Sequence, residues 1–225
     1  MRAAFGFDFD HTLGFDHRLE RVAFLDLVRE IAQDTGVSVD EHAAQKVIDR
    51  QIGAFRAGRS DLDSAIASAF AQVLFDTSPP DGAQRFRHHA VGLVPRYVTA
   101  APGATELLAA MAAAGVPFAM LTNGWNPLQT RKAEQIGFDR PVLVSEDLGV
   151  RKPQPEAFTA LASRLGVSPA DILYVGDDPE VDVAGALTVG MRAIWMQREG
   201  ALYPADQVPP TATVRSLIDV LQFIG

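Results

Sequence analysis

Ala3-Ala4-Phe5-Gly6-Phe7-Asp8-Phe9-Asp10-His11-Thr12-Leu13 is the stretch on which the fold turns. The run from Ala3 to Phe7 is apolar throughout and too short for a helix, so it is expected to be a buried strand. It stops at two carboxyl groups with a single residue between them. In an open parallel sheet, ligands gather beyond the carboxyl ends of the strands, which is where Asp8 would stand. Two such groups can serve one centre, one as nucleophile and metal ligand and the other as proton donor. An aspartate ending a strand also commonly caps a turn, so its role depends on which groups stand at the other strand ends.

Four further apolar runs have the same character: Phe118 to Leu121, Val142 to Val144, Ile172 to Val175 and Ala193 to Met196. Helical stretches separate them. Thr105 to Ala114 ends at Gly115, Glu156 to Leu165 ends at Gly166, and Ser168-Pro169 offers a cap and first-turn proline for a short helical segment. Strands alternating with helices in this way imply an α/β protein: a Rossmann-like, doubly wound parallel sheet with helices on both faces. From about Phe15 to Thr99 the strand signal stops. Phe24, Leu27, Val28 and Ile31 form one helical stripe, and Ile66, Ala69, Phe70, Val73 and Leu74 another. Ala101-Pro102-Gly103 marks the return. The expected domains are therefore a sheet domain of residues 1–14 and 100–225, and a helical insertion of residues 15–99.

Three more strand ends carry polar groups. Met120-Leu121-Thr122-Asn123-Gly124 ends in a hydroxyl and an amide that can bond a phosphoryl oxygen, with Gly124 allowing close backbone approach. Gly149-Val150-Arg151-Lys152-Pro153 presents one of only three lysines (Lys46, Lys132, Lys152), and its compact ammonium can offset the charge of an aspartate and a phosphate. Tyr174-Val175-Gly176-Asp177-Asp178-Pro179-Glu180-Val181-Asp182 delivers a carboxylate cluster suited to a hard cation.

Taken together in chain order, these segments resemble the four motifs of the haloacid dehalogenase-like hydrolases: Asp8-x-Asp10-x-Thr12, Thr122-Asn123, Lys152-Pro153 and Gly176-Asp177-Asp178-x-x-x-Asp182. The family often has glycine or asparagine where His11 stands, and serine where Asp178 stands. The resemblance implies a Mg2+-dependent phosphatase acting on a small-molecule phosphate monoester. In it, Asp8 is the nucleophile and Asp10 the acid and base. Thr122, Asn123, Gly124 and Lys152 hold the phosphoryl group, and Thr12 orders the loop or Asp10. Asp8, the Asp10 carbonyl and Asp177 would ligate the cation, with Asp178 and Asp182 as further ligands or as orienters of Lys152. The helical insertion matches the family's cap, which selects the leaving group. A phosphomutase, a 2-haloacid dehalogenase and a non-catalytic phospholigand-binding protein are the alternatives; a dehalogenase attacks carbon and has no use for Asp10 or the Asp177 cluster.

The bulk numbers are compatible with this. A chain of 225 residues that is 48% hydrophobic can bury a substantial core, and a net charge of -8 gives no general attraction for nucleic acid or an anionic membrane. The absence of cysteine excludes disulfides, thiolate metal sites and a cysteine nucleophile. No stretch approaches ~20 uninterrupted apolar residues, and the apolar run before Asp8 is too short for a secretory segment, so a cytoplasmic protein is expected. The oligomeric state is left open.

Overall fold

Residues 3–224 are described by a computed structural model; Met1, Arg2 and Gly225 lie outside the described residues. The strands are β1 (Ala4–Phe7), β2 (Gly14–Phe15), β3 (Thr99–Ala100), β4 (Phe118–Thr122), β5 (Val142–Val144), β6 (Ile172–Gly176), β7 (Arg192–Met196) and β8 (Ala212–Val214). Six of them form one sheet in the order β5-β4-β1-β6-β7-β8, with every neighbouring pair parallel. The chain builds outward from β1 through β4 to β5, then returns to the other side of β1 to lay down β6, β7 and β8. That reversal places the carboxyl ends of β1 and β6 at the switch point, where an open α/β sheet leaves a crevice.

The period-two alternation of β1 divides the core. Ala4 packs with Tyr174 and with Ala157, Phe158, Leu161 and Ala186, whereas Phe5 and Phe7 stack on one another at 6.1 Å. Phe118 meets Phe7 edge-on, and Phe138 meets Phe118 in the same way. Burying each of these rings is worth about 2–3 kcal/mol, which is why β1 and β4 become interior strands of the sheet.

The helices are α1 (Leu19–Thr35), α2 (Glu41–Arg56), α3 (Leu62–Leu74), α4 (Gly82–Tyr97), α5 (Ala104–Ala113), α6 (Leu128–Gln135), α7 (Ser145–Leu148), α8 (Pro155–Leu165) and α9 (Gly185–Thr188). The chain divides into two compact units: one runs to Asp16 and resumes at Val98, and the other is His17–Tyr97. The division falls two residues inside the span expected from the sequence breakers. Its cause is an antiparallel ladder, Gly14 with Ala100 and Phe15 with Thr99, that the sequence does not announce and that joins both ends of the insertion to the sheet unit.

The helical unit holds itself together. Phe24 of α1 and Phe70 of α3 meet at a tilt, their ring centroids 4.7 Å apart, Asp40 caps α2 by accepting from the amides of His42 and Ala43, and Asp61 caps α3 by accepting from the Ser64 amide. Its arginines are largely occupied: Arg56 pairs with Glu20, Arg85 with Glu30 and Arg87 with Asp63, while Arg96 lies over Tyr97. No described helix is long and apolar enough to cross a membrane.

Candidate active site

Asp8 follows β1 directly, and its amide donates to the carbonyl of Val175, which fixes the end of β1 against β6. Beyond it the carbonyl of Phe9 accepts from the amides of Thr12, Leu13 and Gly14, folding the motif into a tight turn. Asp8 is buried, and so is Lys152, which reaches it from the loop after α7. The Lys152 ammonium donates to Asp8 Oδ1 at 2.6 Å, to Asp182 Oδ1 at 2.7 Å and to the Tyr174 hydroxyl at 3.0 Å. All three of its donors are therefore used. Tyr174 donates its own proton to the carbonyl of Leu121 at 2.8 Å.

Asn123 sets the height of that lysine. Its side-chain amide donates to the Lys152 carbonyl and its Oδ1 accepts from the Lys152 amide, both at 2.9 Å. The side chain is thus engaged with the Lys152 backbone and acts as a clamp between two loops. Gly124 is required for packing, because a Cβ there would lie 2.4 Å from Gln129 Nε2, and its amide donates to the Ser145 hydroxyl. Thr122 ends β4 fully buried, and its hydroxyl makes no hydrogen bond among the described residues. The buried Thr12 hydroxyl likewise lacks a partner.

The acid cluster after β6 is built around Gly176. A Cβ at this position would sit 2.4 Å from Asp182 Cβ, so only glycine lets Asp182 fold back over the strand end. Asp182 then spends both oxygens within the protein: Oδ1 accepts from Lys152, and Oδ2 from the Asp178 amide at 3.1 Å. Asp178 is exposed and turns its own carboxylate to the amides of Glu180 and Val181, capping the π-helical turn Pro179–Ala184. Asp177 remains. Its carbonyl accepts from the Trp195 indole at 2.8 Å, and Arg198 approaches its Oδ2 at 3.3 Å.

Carboxylate oxygens of Asp8, Asp177 and Asp182 all lie within 4.8 Å of one another. Burial, reinforced by Asp182 and Asp10, pushes Asp8 up to about 7 despite Lys152; burial, Asp8 and Asp182 push Asp177 up to about 8. Burial works against the Lys152 charge, but Asp182 and Asp8 outweigh it and hold the ammonium well above the ordinary lysine range. Against the three carboxylates stand the buried Lys152 ammonium and, at Asp177, the largely exposed Arg198 guanidinium, still one cation fewer than the acids. A hard divalent cation, which prefers oxygen ligands, fits that donor set.

Asp10 stands apart from this cluster. Its Oδ1 accepts from Lys132 Nζ at 2.6 Å, and the same ammonium lies 3.1 Å from Asp16 Oδ2 and over the Phe9 ring at 4.7 Å. Lys132 and Asp16 were not singled out by sequence reasoning. Scarcity of lysine pointed as much to Lys132 as to Lys152, but a polar helix offered no strand end to attach it to. Tyr174 and Arg198 were missed as well, Tyr174 because it reads as a core aromatic and Arg198 because it sits in a loop without a motif. Among the described residues no histidine joins a metal-binding group, and Trp125 is fully buried.

A family model described as haloacid dehalogenase-like hydrolase matches residues 3–190. A phosphoserine phosphatase of Thermus thermophilus is 37% identical over 123 residues, covering 53% of this chain and 49% of that protein. A glyceraldehyde 3-phosphate phosphatase of Methanopyrus kandleri is 33% identical over 105 residues, covering 45% of each. The chain thus spans about half the length of the curated relatives it matches. A crystal structure of a HAD phosphatase from Thermococcus onnurineus superposes with a TM-score of 0.73 at 23% identity, covering 99% of this chain and 98% of that one, a likeness of fold. The match over residues 3–190, which takes in the helical unit, β1 to β6 and all four clusters around Asp8, makes this chain a member of the haloacid dehalogenase-like hydrolase family.

Proposed function

We propose that the chain is a magnesium-dependent phosphatase that hydrolyses a small-molecule phosphate monoester through an aspartyl-phosphate on Asp8. The observation that carries this reading is Lys152, buried with its ammonium shared between Asp8 and Asp182 while Asp177 completes the carboxylate cluster and Asp10 stands two residues on. Phosphatases among the relatives support the reaction class.

Asp8 attacks phosphorus as the bond to the ester oxygen breaks; the electron pair leaves with that oxygen, which takes the proton carried by Asp10. Asp10 then removes a proton from water, whose oxygen attacks phosphorus. The bond to Asp8 breaks, inorganic phosphate departs, and both aspartates return to their starting state. Lys152 and the Thr122 hydroxyl stabilise the transferring oxygens, since phosphoryl transfer is largely positioning and charge stabilisation. Asp8, Asp177 and the Asp10 carbonyl would hold the magnesium ion, which when bound neutralises charge on the nucleophile and the phosphoryl oxygens. Asp182 orients Lys152, Asp178 caps its turn, and Gly124 and the Asn123 side chain shape the loop around the phosphoryl group. The helical unit His17–Tyr97 takes the family's cap role and selects the leaving group.

The test is a hydrolysis screen over phosphate esters with and without magnesium, with Asp8→Asn and Asp10→Asn as controls. Phosphate release that needs both the cation and Asp8 is expected. Release that survives strict chelation, or chloride release from a 2-haloacid in place of phosphate release, contradicts the reading.

A further inference from the structure

Among the described residues Lys132 is the most deeply buried cation outside the cluster around Asp8, at 1% side-chain exposure, and it lies on α6, an element that none of the four motifs includes. A buried ammonium is retained only where carboxylates compensate it. Here there are two. Asp10 Oδ1 lies at 2.6 Å, and Asp16 Oδ2, from the segment just after β2, at 3.1 Å. The Phe9 ring closes a further side at 4.7 Å, so the ammonium has little freedom to follow a moving partner.

The three charged groups are unequal. The Lys132 side chain is enclosed, whereas Asp10 is 30% exposed, and its second oxygen makes no hydrogen bond among the described residues. One oxygen of Asp10 is therefore pinned from behind while the other is left for a proton. The second carboxylate explains how this arrangement survives turnover. Asp10 gives up and regains a proton in the proposed cycle, so by itself it cannot be the constant counter-charge of a buried lysine; Asp16 takes no part in that transfer.

We propose that Lys132 is the positioning residue for Asp10, anchored by Asp16, and that it aims the free oxygen of Asp10 at the departing ester oxygen. The proposal rests on the phosphatase reading above and adds to it a residue pair. Neighbouring Gln129 supports the same view of α6. It is buried, its Cγ and Nε2 fill the space beside Gly124, and with Lys132 it forms an i, i+3 pair turned into the sheet unit.

The proposal separates from a merely structural role through the leaving group. p-Nitrophenyl phosphate expels a stable anion and needs little protonation, whereas phenyl phosphate, of nearly the same shape, expels a more basic one. The parameter to compare is kcat/KM, which covers phosphoryl transfer to Asp8 and alcohol departure but not the later hydrolysis. In Lys132→Met, kcat/KM for phenyl phosphate should fall by about 100-fold, the scale of a general acid's contribution, and at least ten times further than for p-nitrophenyl phosphate. Asp16→Asn, which keeps the lysine, should show the same selectivity at smaller amplitude and guards against a folding failure of Lys132→Met. Equal losses on both esters in both variants, or no loss on either, would overturn the proposal while leaving the phosphatase reading intact. Wild-type hydrolysis of p-nitrophenyl phosphate that survives Asp8→Asn overturns the underlying reading instead, and the proposal with it.

Discussion

The ammonium of Lys152 and Oδ1 of Asp8 are 2.6 Å apart with both side chains buried, although 144 positions of sequence separate them. Removing that cation takes from the buried Asp8 and Asp182 the ammonium they share. Lys152→Met is therefore expected to reduce turnover by at least about 100-fold, the typical loss of a transition-state donor, and to destabilise the metal-free protein by about 3–5 kcal/mol. Urea unfolding in chelator, beside phosphate release in magnesium, checks both halves; unchanged stability would mean that the pair is not compensating buried charge.

Stability should depend on pH through Asp8 and Asp177. Burial raises them to about 7 and about 8 in the folded state, while in the unfolded chain they return to the ordinary carboxylate range. A carboxyl raised on folding contributes stability that is full below its unfolded value and is lost as pH rises through its folded one. In chelator, the melting temperature should fall as pH climbs from about 5 to about 8.5, more steeply in the wild type than in Asp177→Asn. Magnesium, which binds the ionised carboxylates, should raise it by an increment that grows over the same window. The raised Lys152 does not disturb this, because its contribution is lost only above the ordinary lysine range. A wild-type profile no steeper than that of Asp177→Asn would refute the electrostatic account.

Gly176→Ala places a methyl group 2.4 Å from Asp182 Cβ. Asp182 must shift, and with it the Lys152 hydrogen bond, so a loss of about 1–3 kcal/mol and a fall in kcat are expected together. Gly92→Ala is the control. It lies exposed in α4 with nothing within 4 Å of an added Cβ, and should stabilise by up to about 1 kcal/mol without touching catalysis. Thermal melts and steady-state kinetics of the two variants make the comparison.

Asn123→Ala removes both hydrogen bonds that fix the Lys152 backbone. Two such bonds are worth about 1–3 kcal/mol, and the freed loop should lower kcat more than it raises KM. A variant that loses only substrate affinity would return Asn123 to direct phosphoryl binding.

The sheet was legible because β1, β4, β5, β6 and β7 are each built on a short apolar run that stops at polar groups. β8 was not: Ala212-Thr213-Val214 is short, carries a threonine at its centre, and comes after a proline-rich loop, so its pairing with β7 decides it rather than its own composition. The site divides along the same line. Asp8, Thr122, Lys152 and Asp177 announce themselves by standing at or after strand ends. Lys132 is hidden in Leu128-Gln129-Thr130-Arg131-Lys132, where nothing local signals that it will be buried against Asp10, 122 positions earlier. Asn123 was legible as a residue but not as a clamp, because its partner stands 29 positions further on.

The central claim is that Asp8 becomes phosphorylated, and acid-quenched mass spectrometry of the Asp8 peptide during turnover of p-nitrophenyl phosphate tests it most directly. The expected result is a peptide heavier by one phosphoryl group, lost on chase and absent in Asp8→Asn. An unmodified Asp8 during active phosphate release would contradict it.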